Sequence, residues 1–149
     1  MFSGYYDDPE ATSRFLRDGW FVPGDLGALD RDGVLHYYGR ADDMMILNNL
    51  NIHPSEIETF VEAQPGIVEA AAFALRSPVH GDIPVVAVVT GDGYDRAALM
   101  RAGRATLGMR APRKIFEVEK LPRNAMGKVL RRELESQARA TMERRTHVN

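Results

Sequence analysis

The 149-residue sequence contains no cysteine. That excludes disulfides, zinc–thiolate sites and thiol nucleophiles, and it is compatible with a reducing compartment; the cytoplasm is the expected location. No apolar run approaches the roughly 18 residues that a membrane-spanning helix requires. Charge of one sign is not in excess. The 19 basic and 21 acidic side chains leave a net charge of −2, so no overall field draws the chain to nucleic acid or to an acidic membrane. The histidines His36, His53, His80 and His147 are scattered and give no metal-binding spacing. Met1-Phe2-Ser3-Gly4-Tyr5-Tyr6 has neither the basic nor the apolar region of a secretion signal. Repeats and low-complexity tracts are missing too. What is present, 44% hydrophobic and 27% charged residues, is the composition of an ordinary globular protein, long enough for one domain or for one domain and part of another.

Asp8-Pro9-Glu10 opens a short helical pattern carrying Phe15 and Leu16, which Gly19 stops. Residues 26–29 and 34–38 flank Asp30-Arg31-Asp32-Gly33, the pattern of a hairpin. Gly39-Arg40-Ala41-Asp42-Asp43 interrupts it with charge, and a domain boundary is placed there, between 1–41 and 42–149. A strand over 44–47 leads to an Asn48-Asn49-Leu50-Asn51 turn, since asparagine tolerates the left-handed conformation. Pro54 suits the first position of a helix whose Ile57, Phe60 and Val61 share a face, ended by Gln64-Pro65-Gly66. Strands follow over 67–75 and 83–90, the second nearly all apolar and therefore buried. A helix over 94–107, a strand over 113–119, a loop over 121–128 and a charged helix from 129 to about 142 complete the pattern. The class is α+β, a small sheet with helices on one or both faces.

Three segments carry a resemblance. The first comprises Gly4-Tyr5-Tyr6, Asp8-Pro9-Glu10-Ala11-Thr12, Asp18-Gly19-Trp20-Phe21 and Gly24-Asp25-Leu26-Gly27. The second is Gly39-Arg40-Ala41-Asp42-Asp43-Met44, with Asn51-Ile52-His53-Pro54-Ser55-Glu56-Ile57-Glu58. The third is Leu121-Pro122-Arg123-Asn124-Ala125-Met126-Gly127-Lys128-Val129-Leu130-Arg131-Arg132. In this order and spacing the chain resembles the carboxy-terminal part of the adenylate-forming superfamily of acyl-CoA synthetases, peptide-synthetase adenylation domains and luciferases, and is most like the acyl- and aryl-CoA ligases. The resemblance implies that 1–41 is the tail, a β-hairpin remnant, of a large amino-terminal adenylation domain, and that 42–149 is a mobile small domain. The family's Ser/Thr/Gly-rich phosphate loop is not found, so the chain alone is expected to be inactive. ATP, magnesium and CoA would serve the full-length enzyme, and none of them is expected on the isolated chain.

The resemblance also implies roles. Asp25 would accept from the ribose hydroxyls of ATP, where a charged acceptor strengthens both bonds; proline at position 23 stands where the family usually has threonine. Arg40 would reach ribose or phosphates with its planar guanidinium. Asp42 would be the hinge between two half-reactions. Asn48 and Asn49 stand where many members have paired glycines along the thiol tunnel. Arg110 and Arg113, with Lys114, would hold the nucleotide phosphates of CoA, although Met109 and His80 stand where a stacking aromatic is expected. Lys128 would be the catalytic lysine. Each has an ordinary alternative: a turn aspartate, a capping arginine, a surface charge, a bland turn, a solvated strand edge, a lysine opening a basic helix. Residues 139–145 read as a fraying basic helix end. No metal ligands are assigned.

The expected activity is ATP-dependent activation of a small carboxylic acid, followed by transfer to CoA or to a carrier-protein phosphopantetheine. A carrier-loading adenylation fragment and a non-catalytic partner-binding module remain alternatives; the Gly127-Lys128 pair argues against the module, which has no chemical need of it.

Overall fold

Asp8 starts the first helix. Its carboxylate accepts from the Ala11 N–H at 2.8 Å and Pro9 fills the first position, so α1 runs Pro9–Phe15. The computed structural model describes residues 3–146, and the chain divides into two compact units, Met1–Asp42 and Asp43–Asn149. In the first unit β1 (Leu16–Arg17) and β2 (Trp20–Phe21) form a small hairpin around Asp18 and Gly19, both at positive φ. The helix therefore ends at Phe15, and Gly19 serves the hairpin instead of stopping the helix. The strands β3 (Asp25–Leu29) and β4 (Leu35–Arg40) make the second hairpin. Its turn is organised by Asp30, which accepts from the Asp32 and Val34 N–H groups at 2.9 Å each and pairs with His36 at 2.9 Å. The His36 bond, then the Val34 N–H, hold the Asp30 carboxyl below the usual carboxylate range. Gly39 and Arg40 do not interrupt the strand as the charge pattern suggested, because they pair with Leu26 and Asp25. None of residues 3–42 is buried; Trp20 is 77% exposed.

A 3-10 turn, Ala41–Asp43, precedes β5 (Met45–Leu47). Asn48 and Asn49, at φ 47 and 66, then form a two-residue loop with both residues left-handed, and β6 (Leu50–Ile52) pairs back on β5. The expected four-residue turn is thus shorter by two, since Leu50 and Asn51 are ladder residues. The remaining elements are α2 (Pro54–Glu62), β7 (Ile67–Ser77), β8 (Gly81–Thr90), α3 (Arg96–Leu107), β9 (Lys114–Glu117) and α4 (Arg131–Thr146). The strand order is β6-β5-β8-β7, and β9 lies parallel to β8 over Val85–Val88. Gly81 pairs with both Ser77 and Leu47, and a Cβ there would stand 2.6 Å from the Ile46 carbonyl.

The long runs on β7 and β8 are apolar on both faces because helices cover both. Ala70, Ala72, Val86 and Val88 face one core with Ile57, Val61 and Leu99 of α2 and α3. Ala71, Phe73, Val85 and Ala87 face the other, with Leu134 and Ala138 of α4. Each fully buried Val, Ile or Leu contributes about 1.5–3 kcal/mol by burial. Asp95 caps α3 by accepting from Ala97 and Ala98, and these backbone bonds hold its carboxyl low. Tyr94 beside it, pushed up to about 12 by burial and then by Glu117, donates to that carboxylate at 3.2 Å. The last strand is shorter than 113–119. The last helix starts at Arg131, because Val129 bridges to Arg123, and continues to Thr146, so Arg139 lies within it, paired with Glu135, not in a frayed end.

Gly66 and Gly93 share a left-handed backbone, but only at Gly66 would a Cβ collide with the Tyr94 backbone; at Gly93 nothing lies within 4 Å. Gly93→Ala should cost about 1 kcal/mol, the left-handed penalty alone, and Gly66→Ala about 3 kcal/mol or more once the clash is added. Urea denaturation of the two variants against the parent chain checks the difference.

Candidate functional site

The terminal strand β7 exposes backbone that no further strand pairs, and side chains close it. The Ala72 N–H donates to Glu58 Oε1 of α2 at 2.9 Å, and the Ala72 carbonyl accepts from Arg131 Nε at 3.0 Å. The same guanidinium meets Glu58 Oε1 through Nη2 at 2.7 Å and Asp43 Oδ2 through Nη1 at 3.3 Å. At Arg76 the edge carbonyl accepts from Arg139 at 3.4 Å. Arg131, its side chain 24% exposed, therefore joins the start of α4, α2, β7 and the first residue of this unit. No spacing pattern could have found this group, because Asp43 and Arg131 stand 88 positions apart. The signal was present only as membership of the quoted segments.

Lys128 lies three residues before Arg131, in a loop that is folded back on itself. Asn124 makes it so: its side-chain oxygen accepts from the Met126 and Lys128 N–H groups at 3.0 and 2.9 Å, and its backbone N–H donates to the Lys128 carbonyl at 2.9 Å. Gly127 is left-handed at φ 81, which the turn requires. Leu130 N–H donates to the Pro122 carbonyl at 2.8 Å, closing the base. Lys128 is exposed, and among the described residues no carboxylate pairs with its ammonium.

In the first unit, register puts Asp25 opposite Arg40. Arg40 Nη1 donates to the Pro23 carbonyl at 2.6 Å and lies 3.4 Å from Asp25 Oδ1, to which the Tyr37 hydroxyl also donates at 3.3 Å. A part-exposed carboxylate and guanidinium side by side are chemically suited to a ribose hydroxyl and a phosphate. Asp42 stands in the 3-10 turn, 3.5 Å from Arg14 and 4.0 Å from Arg40. Asn48 and Asn49 are both exposed, and left-handed geometry accounts for asparagine at both. Arg110 lies 3.7 Å from Glu56, which offsets part of its charge, while Arg113 donates to the Met109 carbonyl at 3.2 Å. Within the second unit, no hydrogen bond or ion pair among the described residues joins Lys128 to Arg110 or Arg113. Among the described residues no three His, Asp or Glu side chains gather as a metal site; His147 lies outside them.

Residues 56–128 match the model of the AMP-binding enzyme C-terminal domain. A 2-succinylbenzoate–CoA ligase of Geobacillus kaustophilus is 39% identical over 134 residues, 88% of this chain and 27% of that protein. A long-chain-fatty-acid–CoA ligase of Salmonella typhimurium is 34% identical over 94% of this chain and 25% of its own length. The chain thus spans about a quarter of the curated relatives it matches. Among solved structures, ATP-bound MatB from Rhodopseudomonas palustris superposes with a TM-score of 0.83 at 35% identity, over 92% of this chain and 28% of that one; apo MatB, over the same shares, gives 0.68. The amide bond synthetase McbA from Marinactinospora thermotolerans gives 0.83 at 32% identity, over 91% and 28%.

Arg131→Met keeps length and apolar stem but leaves Glu58, Asp43 and the Ala72 carbonyl without their common donor. It should destabilise the second unit by about 2–3 kcal/mol, the range for removing one partner of a partly buried charged group. Glu58→Gln, which still accepts from Ala72, should cost less. Thermal and urea unfolding of both variants test the order.

Proposed function

Because the chain belongs to the AMP-binding enzymes and carries their carboxy-terminal domain, we propose that it is the carboxy-terminal portion of an ATP-dependent acid–CoA ligase. One observation carries the proposal: Lys128, an exposed lysine without a carboxylate partner among the described residues, stands on a loop whose backbone is already bonded in place. A charge presented in this way suits an anion supplied from outside the unit, and its geometry needs no reorganisation at the moment of reaction.

In the proposed first half-reaction a carboxylate oxygen attacks the α-phosphorus of ATP, pyrophosphate leaves with the electron pair, and an acyl-adenylate forms. The Lys128 ammonium would meet the carboxylate and the α-phosphate together, offsetting negative charge as they approach. Asp25 and Arg40 would bind the nucleotide from the hairpin. In the second half-reaction a thiol attacks the acyl carbonyl and AMP leaves. Lys128 is not needed for that step, and Arg110 and Arg113 are proposed to hold the CoA phosphates. Magnesium would accompany ATP through a large amino-terminal domain. The exposure of residues 3–42, with Tyr6 and Trp20 the most exposed of their large apolar side chains, supports such a domain as their natural cover. Asp42 is the proposed hinge. Its place at the end of one compact unit supports this. Both curated relatives above are CoA ligases; McbA, which by its name makes amides, leaves the acceptor as the finer question, with a carrier-bound thiol as the other candidate. The acid itself is recognised elsewhere than in these residues.

In the full-length enzyme, Lys128→Ala should slow adenylate formation by about 10²–10³, the effect of losing one preorganised charge-stabilising group, while thioester formation from pre-made acyl-adenylate stays nearly intact. Pyrophosphate release and adenylate consumption, assayed separately, decide it; equal loss in both would make Lys128 structural. Asp42→Pro, by locking one backbone dihedral, should show the opposite pattern, impairing the thiol step more than adenylation in the same pair of assays.

A further inference from the structure

Arg123 makes two bonds that no stability argument requires. Its Nη1 donates to the carbonyl of Gly127 at 2.8 Å, and its Nη2 meets Glu69 Oε2 of β7 at 2.7 Å. One rigid guanidinium thus fastens the residue immediately before Lys128 to the sheet. The pair is 44% exposed on both sides, and ion pairs this exposed contribute little to global stability. What it does is local. Asn124 closes the loop on itself through Lys128 N–H, and Arg131 holds the start of α4 on Ala72. Val129 packs on the core that Ala71 and Phe73 of β7 help to form, and the Arg123–Glu69 bond adds the polar tie from the lysine's own side of the turn to β7.

We propose that Arg123, held by Glu69, is the positioning residue that aims Lys128. This rests on the ligase reading above and adds to it which side chains set the lysine's geometry. The guanidinium is required for its shape as well as its charge. Its fork reaches a carbonyl and a carboxylate at once, whereas an ammonium is a point charge on a flexible stem. Glu69 acts through Arg123, and neither touches the reacting atoms. Because a displacement of about 1 Å in a catalytic group can cost around a hundredfold in rate, a bond with little weight in folding can carry much of the rate.

Two measurements separate this assignment from the reading beneath it. On the chain itself, amide hydrogen exchange at Gly127 and Lys128 in Arg123→Gln should quicken by about tenfold or more, with exchange at β8 and the unfolding midpoint unchanged. If the two loop amides keep their protection, Arg123 does not order the loop and the proposal falls, whatever the enzyme does. In the full-length enzyme, adenylation should fall about tenfold to a hundredfold in kcat in Arg123→Gln, with KM for ATP little changed and the thiol step intact. Arg123→Lys should recover only part of the loss and Glu69→Gln should lose less than Arg123→Gln. Full adenylation in Arg123→Gln alongside a severe defect in Lys128→Ala overturns the positioning role alone. Full adenylation in Lys128→Ala overturns the ligase reading and this assignment with it.

Discussion

The unpaired outer edge of β7 is the constraint on which the second unit turns. A sheet edge offers donors and acceptors to any passing strand, and here Ala72 has both of its groups taken by side chains, Glu58 from α2 and Arg131 from α4. The two side chains also meet each other at 2.7 Å, so one guanidinium and one carboxylate imitate a missing strand. The helices on opposite faces of the sheet are tied across its rim by the same contact. Replacing the pair with apolar side chains would leave the Ala72 backbone unbonded, which is the reason a charged pair is kept in a half-buried place where ion pairs are seldom worth much on their own account.

From that edge the rest of the site is hung in sequence. Arg131 sets where α4 begins, and Pro122 to Leu130 closes the loop below it. Arg123 fastens Gly127, on the lysine's side of the turn, to Glu69, and Asn124 fills the middle. Such a loop has glycine at one position only, where the turn needs a positive φ, and otherwise spends its polar groups on itself. Rigidity belongs to the lysine-bearing loop and not to a floppy glycine tether. If the domain moves between half-reactions as proposed, the motion has to be absorbed at the joint near Asp42, since the loop has little freedom to give.

The first unit obeys a different rule. Its hairpins and helix are specified by local chemistry: Asp8 capping α1, Asp30 closing a turn, paired left-handed residues at Asp18 and Gly19. None of its described residues is buried. Local turns can shape forty residues, but without apolar burial they contribute little to holding them folded. The unit therefore presents Asp25 beside Arg40 on a surface suited to being covered, in keeping with the proposal that another domain completes the nucleotide site.

The sequence by itself determined the class and the order of the helices and longer strands, though not the short strands β1, β2 and β6; the three segments were legible by resemblance. What it determined depends on period, turn chemistry and caps, which act over a few neighbouring positions. Where local rules competed, it misled. Leu50 and Asn51 read as turn because asparagine flanks them, yet a two-residue left-handed loop lets them pair with β5. Gly39 and Arg40 read as a break because of charge and glycine, yet cross-strand partners keep them in β4. Lys128 was legible from its segment; its support was not. The bonds of Arg123 to Glu69, and of Arg131 to Glu58 and Asp43, span 54, 73 and 88 positions. No local period encodes pairs so far apart. Only the packing of two helices and a loop against one strand edge brings those charges within hydrogen-bonding distance, and it is the unsatisfied backbone of that edge that requires them there.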